Sequence, residues 1–321
     1  MATYKGIQGF TIQNLSADPS NPIEGQVWYN STSNVWKVGE LTTAGAWATS
    51  NNMNTARSVL AGAGTQTAGL AFGGGSPTTT GATEEYDGNS WTNSNSMNTA
   101  RRGLANAGTQ TAALAGGGFT GTVNSGATEE YDGNSWANSN PLNTVRRFLT
   151  GCGTQTAGLA FGGYTTVDVG ATEEYGGISW TSNPTGLNTV RNTLGGCGTQ
   201  TAALAIGGAP LTAATEEYNG ATWASSNPLN TARNGMGAAG IQTAALAFGG
   251  NTGSNTGATE EYDGNSWTSN PTGLNTARFV LGGCGTQTSA LGFGGETTVQ
   301  VANTEEWTGA GAPVTKTITV S

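Results

Sequence analysis

Thr83-Glu84-Glu85-Tyr86-Asp87-Gly88-Asn89-Ser90-Trp91 is the stretch that decides how this chain folds, because close copies of it return at a fixed interval. Its Thr-Glu-Glu-aromatic core ends at Tyr86, Tyr131, Tyr175, Tyr218, Tyr262 and Trp307, a period of 43 to 45 residues. Upstream of each copy stands Asn-Thr-(Ala/Val)-Arg, ending at Arg57, Arg101, Arg146, Arg191, Arg233 and Arg278. Between the two lies Gln-Thr-(Ala/Ser), at Gln66, Gln110, Gln155, Gln200, Gln242 and Gln287. Six appearances in one order, at this period, indicate a propeller or another repeat array.

One unit reads as four short strands: Val59 to Gly64, Ala68 to Phe72, Ala82 to Tyr86, and a fourth beginning at Trp91. Thr65-Gln66-Thr67 and Asp87-Gly88-Asn89-Ser90 supply the turns between them. Strands of four to six residues with turn signals every ten or so positions specify an all-β chain, and four strands at this repeat length make one propeller blade. The first strand of each unit is rich in small residues, as in Leu149-Thr150-Gly151-Cys152-Gly153, which suits a crowded position near an axis.

The order Leu70-Ala71-Phe72-Gly73-Gly74, Tyr86, Trp91, then Arg101 resembles the kelch repeat over residues 46–309. The resemblance implies a six-bladed kelch-like β-propeller of four-stranded antiparallel blades. The Gly pairs lack side chains, so a ring is expected to lie against them, supplied by Trp91, Trp136, Trp180, Trp223 and Trp267. A sixth Trp in this position, Trp47, precedes the first Asn-Thr-Ala-Arg, so it is expected to complete the blade that holds Trp307 and to remove an open edge. The alternative is closure by Pro313 to Val320, with Trp28-Tyr29 and Trp36 in a partial seventh blade. The expected organisation is an N-terminal docking segment over residues 1–45, the propeller over 46–309 and a C-terminal strand or tail over 310–321.

The titratable residues argue against an enzyme. Adjacent residues of a strand face opposite ways, so Glu84 and Glu85 cannot serve one substrate, and sixfold repetition does not suit a single active site. The first glutamates of the pairs, Glu84, Glu129, Glu173, Glu216, Glu260 and Glu305, or their neighbours, are expected to meet the repeated Arg or backbone amides; which of each pair does so is open. Asp87, Asp132 and Asp263 resemble calcium-loop acids, but Gly176 and Asn219 stand in their place elsewhere, so a turn explains them better. The chain has no His, which removes the copper ligands that galactose oxidase-like enzymes use and the commonest general base. Cys152, Cys197 and Cys284 share a position with Ala63, Ala107 and Ala239 and are expected to be small, buried, free thiols. No cofactor and no metal is expected. Net charge is −9 and only three Lys are present, so nucleic acid is a poor partner; no apolar stretch approaches a membrane span, and Met1 to Lys5 do not open a secretory signal.

Function is expected where the repeats differ. The loops at 75–81, 118–126, 164–170, 209–213, 251–257 and 296–303 differ in every unit and share one face, giving Phe119, Tyr164, Asp168, Pro210, Leu211, Thr298 and Gln300 as candidate contacts. A glycan-active enzyme would need Asp168 and Glu296 to converge at the axis. Gly25-Gln26-Val27-Trp28-Tyr29 through Val38 reads as two short strands and resembles a segment of bacteriophage tail-fibre and virion structural proteins. That resemblance implies a non-enzymatic virion or tail-appendage protein, held to other virion proteins through the N-terminal segment or the blade surfaces. The alternative is a host-receptor or glycan-binding module, extracellular or cell-surface-associated, using the variable loops.

Overall fold

In the computed structural model, residues 13–20, 22–42, 44–311 and 313–318 are described. The reading of Met1 to Lys5, most of the start of the docking segment, and Thr319 and Val320 of the final strand lie outside them. The described residues hold strands and no helix, and so no helix long and apolar enough to cross a membrane. The chain divides into two compact units, Ala46–Thr308 and a second made of Met1–Gly45 with Gly309–Ser321.

The larger unit is a β-propeller of repeated four-stranded antiparallel sheets. Sheet 1 runs Ala61–Thr65, Ala68–Phe72, Thr83–Tyr86, Trp91–Ser94. Four sheets of the same order follow, with first strands at Ala105–Thr109, Thr150–Gly153, Gly195–Gly198 and Gly237–Ile241. In sheet 6, Gly282–Gly285, Ser289–Phe293 and Thr304–Thr308 are completed by Ala46–Ser50, with Trp47 opposite Trp307. Each first strand packs beside the next, and Gly282–Gly285 packs beside Ala61–Thr65, so the neighbours run in a cycle.

The strands start later than the sequence pattern suggests. Val59, expected in a first strand, has φ of 57°, and its equivalents Gly103, Phe148, Thr193, Gly235 and Val280 have φ of 61°, 54°, 49°, 61° and 48°. These six residues form a closed circuit of backbone hydrogen bonds of 2.6–2.9 Å. Each amide donates to the carbonyl of the equivalent residue in the preceding sheet, and Val59 donates to Val280. Left-handed backbone at a β-branched residue is strained and persists only where its surroundings over-determine it. The circuit is what does so here.

The rings do not lie on the Gly pairs. A Cβ at Gly73 would sit 2.6 Å from the Arg101 carbonyl oxygen, and one at Gly74 2.8 Å from that of Ser58. The pair is therefore reserved for close passage of two linker backbones. The Trp rings pack one residue earlier and one sheet back: Trp136 on Phe72 (4.9 Å between centroids), Trp91 on Phe293 (5.1 Å) and Trp47 on Phe248 (4.7 Å). At the one equivalent glycine, Gly116, the edge of Trp180 comes to 3.1 Å of where a Cβ would be.

The second unit carries a mixed sheet in which Gln13–Leu15 pairs parallel with Val27–Asn30, followed by Val35–Leu41 and Pro313–Thr317. The two strands around Trp28 and Trp36 form as expected. Pro313–Thr317 pairs with Val35–Leu41 and does not complete sheet 6, and the mixed order differs from that of the repeated sheets. The C-terminal strand thus shares a sheet with the N-terminal segment. Trp28 is buried and its Nε1 donates to Asp18 Oδ1 at 3.0 Å; Asn30 Nδ2 donates to the same oxygen at 2.7 Å.

Candidate functional site

The repeated charges are consumed in building the ring. It is the first glutamate of each pair that meets the Arg: Arg57–Glu84 at 2.7 Å, Arg101–Glu129 at 2.9 Å, Arg233–Glu260 at 3.0 Å, and the close pairs Arg146–Glu173, Arg191–Glu216 and Arg278–Glu305. All twelve side chains are buried. Burial pulls the Arg57 pKa down from its ordinary value and Glu84 opposes that pull. Glu84 also accepts from the amides of Asn54 (2.6 Å) and Thr55 (3.3 Å), so one carboxylate folds the Asn-Thr-Ala-Arg corner onto its sheet.

In five of the six pairs the second glutamate reaches the neighbouring sheet, while Glu261 accepts from Asn270 Nδ2 at 2.9 Å. Tyr131 OH donates to Glu85, Tyr175 to Glu130, Tyr218 to Glu174, Tyr262 to Glu217 and Tyr86 to Glu306. Burial first, and then these carboxylates, push Tyr86, Tyr131, Tyr175 and Tyr262 up to about 12. Each fourth-strand Trp donates from Nε1 to a Thr Oγ1 of the preceding sheet at 2.9–3.0 Å: Trp91 to Thr304, Trp136 to Thr83, Trp180 to Thr128, Trp223 to Thr172, Trp267 to Thr215 and Trp47 to Thr259. The repeated Gln, read from sequence only as a turn residue, has the same reach. Gln110 Nε2 donates to the carbonyls of Gly69 and Tyr86, and Gln66 Nε2 to those of Ala290 and Trp307.

The remaining repeat residues cap their own turns or lie buried. Asp87, Asp132 and Asp263 fold back on their own turns, accepting from the amides two and three residues on, which holds their pKa values below the usual range. Asn219 makes the same pair of bonds without a charge. Cys152, Cys197 and Cys284 are free and buried, and burial pushes Cys197 and Cys284 up to about 12. Among the described residues no group of three His, Cys, Asp or Glu is placed to hold a metal ion.

What varies is a ring of backbone pairs between the residue after each motif Arg and the start of each variable loop: Ser58–Gly75, Arg102–Phe119, Arg147–Tyr164, Asn192–Ala209, Asn234–Asn251 and Phe279–Glu296. Sheets 2 and 3 thereby set two arginines among three rings. The Arg147 guanidinium lies 4.6 Å from the centroid of Phe119, 5.1 Å from Tyr164 and 5.3 Å from Phe148; Arg102 lies 5.4 Å from Phe119. Phe119 and Tyr164, expected to be exposed, are half-buried under these cations. Asp168 accepts from Asn192 Nδ2 at 2.6 Å, and Glu296 from Ser58 Oγ at 3.3 Å, so the two loop acids hold neighbouring linkers. Pro210, Leu211 and Thr298 are exposed on loops of sheets 4 and 6, with Gln300 half-buried beside Thr298, and none of these belongs to the aromatic cluster. Sequence reading missed Arg102, Arg147 and Phe148 as site residues, although the two arginines are the ones that stand outside the repeated motif. It also missed Val123, Val167 and Val299, which are 62–63% exposed at three loop tips.

No described protein family matches the chain, and no curated protein matches it. Among solved structures, YjhT is similar with a TM-score of 0.66 at 12% identity, covering 83% of this chain and 98% of that one. At that identity the likeness speaks for the propeller fold alone.

Proposed function

We propose that the chain is a non-enzymatic structural component of a bacteriophage virion or tail appendage. In this reading a six-bladed kelch-type propeller, closed by Ala46–Ser50, is a rigid platform for assembly and display. The observation that carries it is the commitment of all six repeated Arg and all six repeated glutamate pairs to bonds within and between sheets, which leaves sequence variation to one face. Interlocked charges of this kind rigidify a scaffold and are already engaged by partners of the same fold. The segment 1–45, with the virion-like strand pair at Val27–Asn30 and Val35–Leu41, is the docking element toward other virion proteins. Mass spectrometry of purified particles tests the reading: the protein is expected at a fixed stoichiometry, and lost when residues 1–45 are deleted. Particles that lack it overturn the proposal.

A second reading is favoured by the aromatic–guanidinium cluster, which no structural repeat requires. In it the variable face binds a host receptor or glycan. Binding to host cells that survives replacement of the loops at 118–126 and 164–170 would contradict it.

A further inference from the structure

Resting on that second reading, we propose that Arg102, Arg147 and the loops around Phe119 and Tyr164 form a binding site for an acidic saccharide, the guanidiniums holding its carboxylate or sulfate.

The first argument is that these two cations have been left unpaired. Six of the eight Arg have a buried glutamate, whereas among the described residues neither Arg102 nor Arg147 makes an ion pair. Both have a buried Nε without a hydrogen-bond partner, and so does Asn124 Oδ1 between the same two loops, whose Nδ2 donates to the Thr165 carbonyl at 2.8 Å. The repeat arginines Arg57, Arg191 and Arg233 share the unpartnered Nε, so what sets Arg102 and Arg147 apart is the missing carboxylate, with Asn124 Oδ1 as a further unpartnered acceptor between their loops. In a chain of net charge −9, two neighbouring cations outside any ion pair among the described residues favour an anion at this face.

The second argument is preorganisation. Each Arg is fixed by paired backbone bonds to its loop, Arg102 to Phe119 at 2.9 and 3.0 Å and Arg147 to Tyr164 at 2.7 and 3.0 Å. Aromatic faces then hold the guanidiniums at 4.6–5.4 Å. With Nε buried, each guanidinium has its two terminal amino groups to offer, a pair of donors that can take an oxyanion in two parallel bonds. The third argument is the loop chemistry. Thr120, Thr122, Asn124, Ser125, Thr165 and Thr166 offer hydroxyls and amides, and the one acid of the two loops, Asp168, accepts from Asn192 Nδ2 at 2.6 Å, which suits a ligand that carries many hydroxyls beside its anionic group.

The test is calorimetric titration of the full chain with three soluble probes: an oligogalacturonate (carboxylate), a sulfated dextran and neutral dextran. Binding to at least one acidic probe and none to neutral dextran is expected, weakening as salt rises. R102Q/R147Q should lower that affinity about tenfold or more, while R147K, which keeps the charge but loses the fork, should lose part of it. Far-ultraviolet dichroism and melting temperature of each variant separate lost binding from lost folding, and T92A, at an exposed position of the outer strand Trp91–Ser94, should bind as the parent does. Acidic-probe binding unchanged in folded R102Q/R147Q, or no binding to either acidic probe, overturns the inference. Equal binding to neutral dextran that is abolished by loop replacement also overturns it, yet leaves the glycan-binding face standing.

Discussion

Trp47 lies directly opposite Trp307 in the register of sheet 6, with ring centroids 5.4 Å apart, although the two come from opposite ends of the repeated region. The same Trp47 donates through Nε1 to Thr259 of sheet 5 at 2.9 Å, the bond that every other repeat makes with its own Trp. The first strand of the unit therefore finishes the last sheet, and at the seam Trp47 makes the ring and Nε1 contacts that the other fourth-strand Trp residues make.

If so, Trp47→Ala should cost as much as Trp136→Ala, about 3–5 kcal/mol for a buried ring truncated in a packed core. Urea unfolding of both variants checks this. A Trp47→Ala cost below about 1 kcal/mol would mean that the seam is loose.

The two glutamates of a pair should differ sharply. Glu173→Gln leaves Arg146 buried without its counter-charge and is expected to destabilise by about 3–5 kcal/mol. Glu174→Gln keeps an acceptor for Tyr218 and should cost about 1 kcal/mol. Chemical denaturation of the two single variants decides it, and equal costs would contradict the division of labour.

Tyr86, Tyr131, Tyr175 and Tyr262 have folded pKa values of about 12, raised from 10.0. A raised pKa favours the protonated form, so their contribution to stability is complete below pH 10 and is lost as pH climbs toward 12. Ultraviolet titration of phenolate should show these tyrosines ionising together with unfolding in that window. Their ionisation near pH 10 with the fold intact would contradict the Tyr–Glu contacts.

The left-handed circuit gives a prediction with a built-in comparison, because Gly103 and Gly235 already occupy two of its six positions. Thr193→Gly and Val280→Gly should be neutral or stabilising by up to about 1 kcal/mol, the release of left-handed strain offsetting the usual entropic cost of glycine. Thermal melting of the two variants measures it, and a loss above about 1 kcal/mol would show that the side chains, not the backbone, hold the circuit.

What the sequence disclosed and what it hid follow from the range of each interaction. Thr83–Tyr86 and Asp87–Ser90 spell out their strand and turn through local chemistry, and the Arg–Glu pairing was implied by two motifs that never occur apart. The roles of Gln66 and its equivalents were hidden because their partners are carbonyls of another sheet, which no side-chain pattern records. Val59, Phe148, Thr193 and Val280 look like strand residues, so their left-handed backbone had no signature. Trp136 was assigned to a glycine pair when its partner is Phe72 one sheet away. At the candidate site, Phe119 and Tyr164 were visible as loop aromatics and Arg102 and Arg147 as arginines outside the repeat. Only the folded ring of linkers brings the four together.

The central structural claim, a propeller closed without a weak seam, is tested most directly by native-state hydrogen exchange at the amides of Val59, Gly103, Phe148, Thr193, Gly235 and Val280. If the ring is continuous, all six exchange with one common protection, among the slowest in the protein, because none opens without global unfolding. Fast exchange at Val59 beside slow exchange at Phe148 and Thr193 would show a ring that opens between its first and last sheets, and would contradict the account.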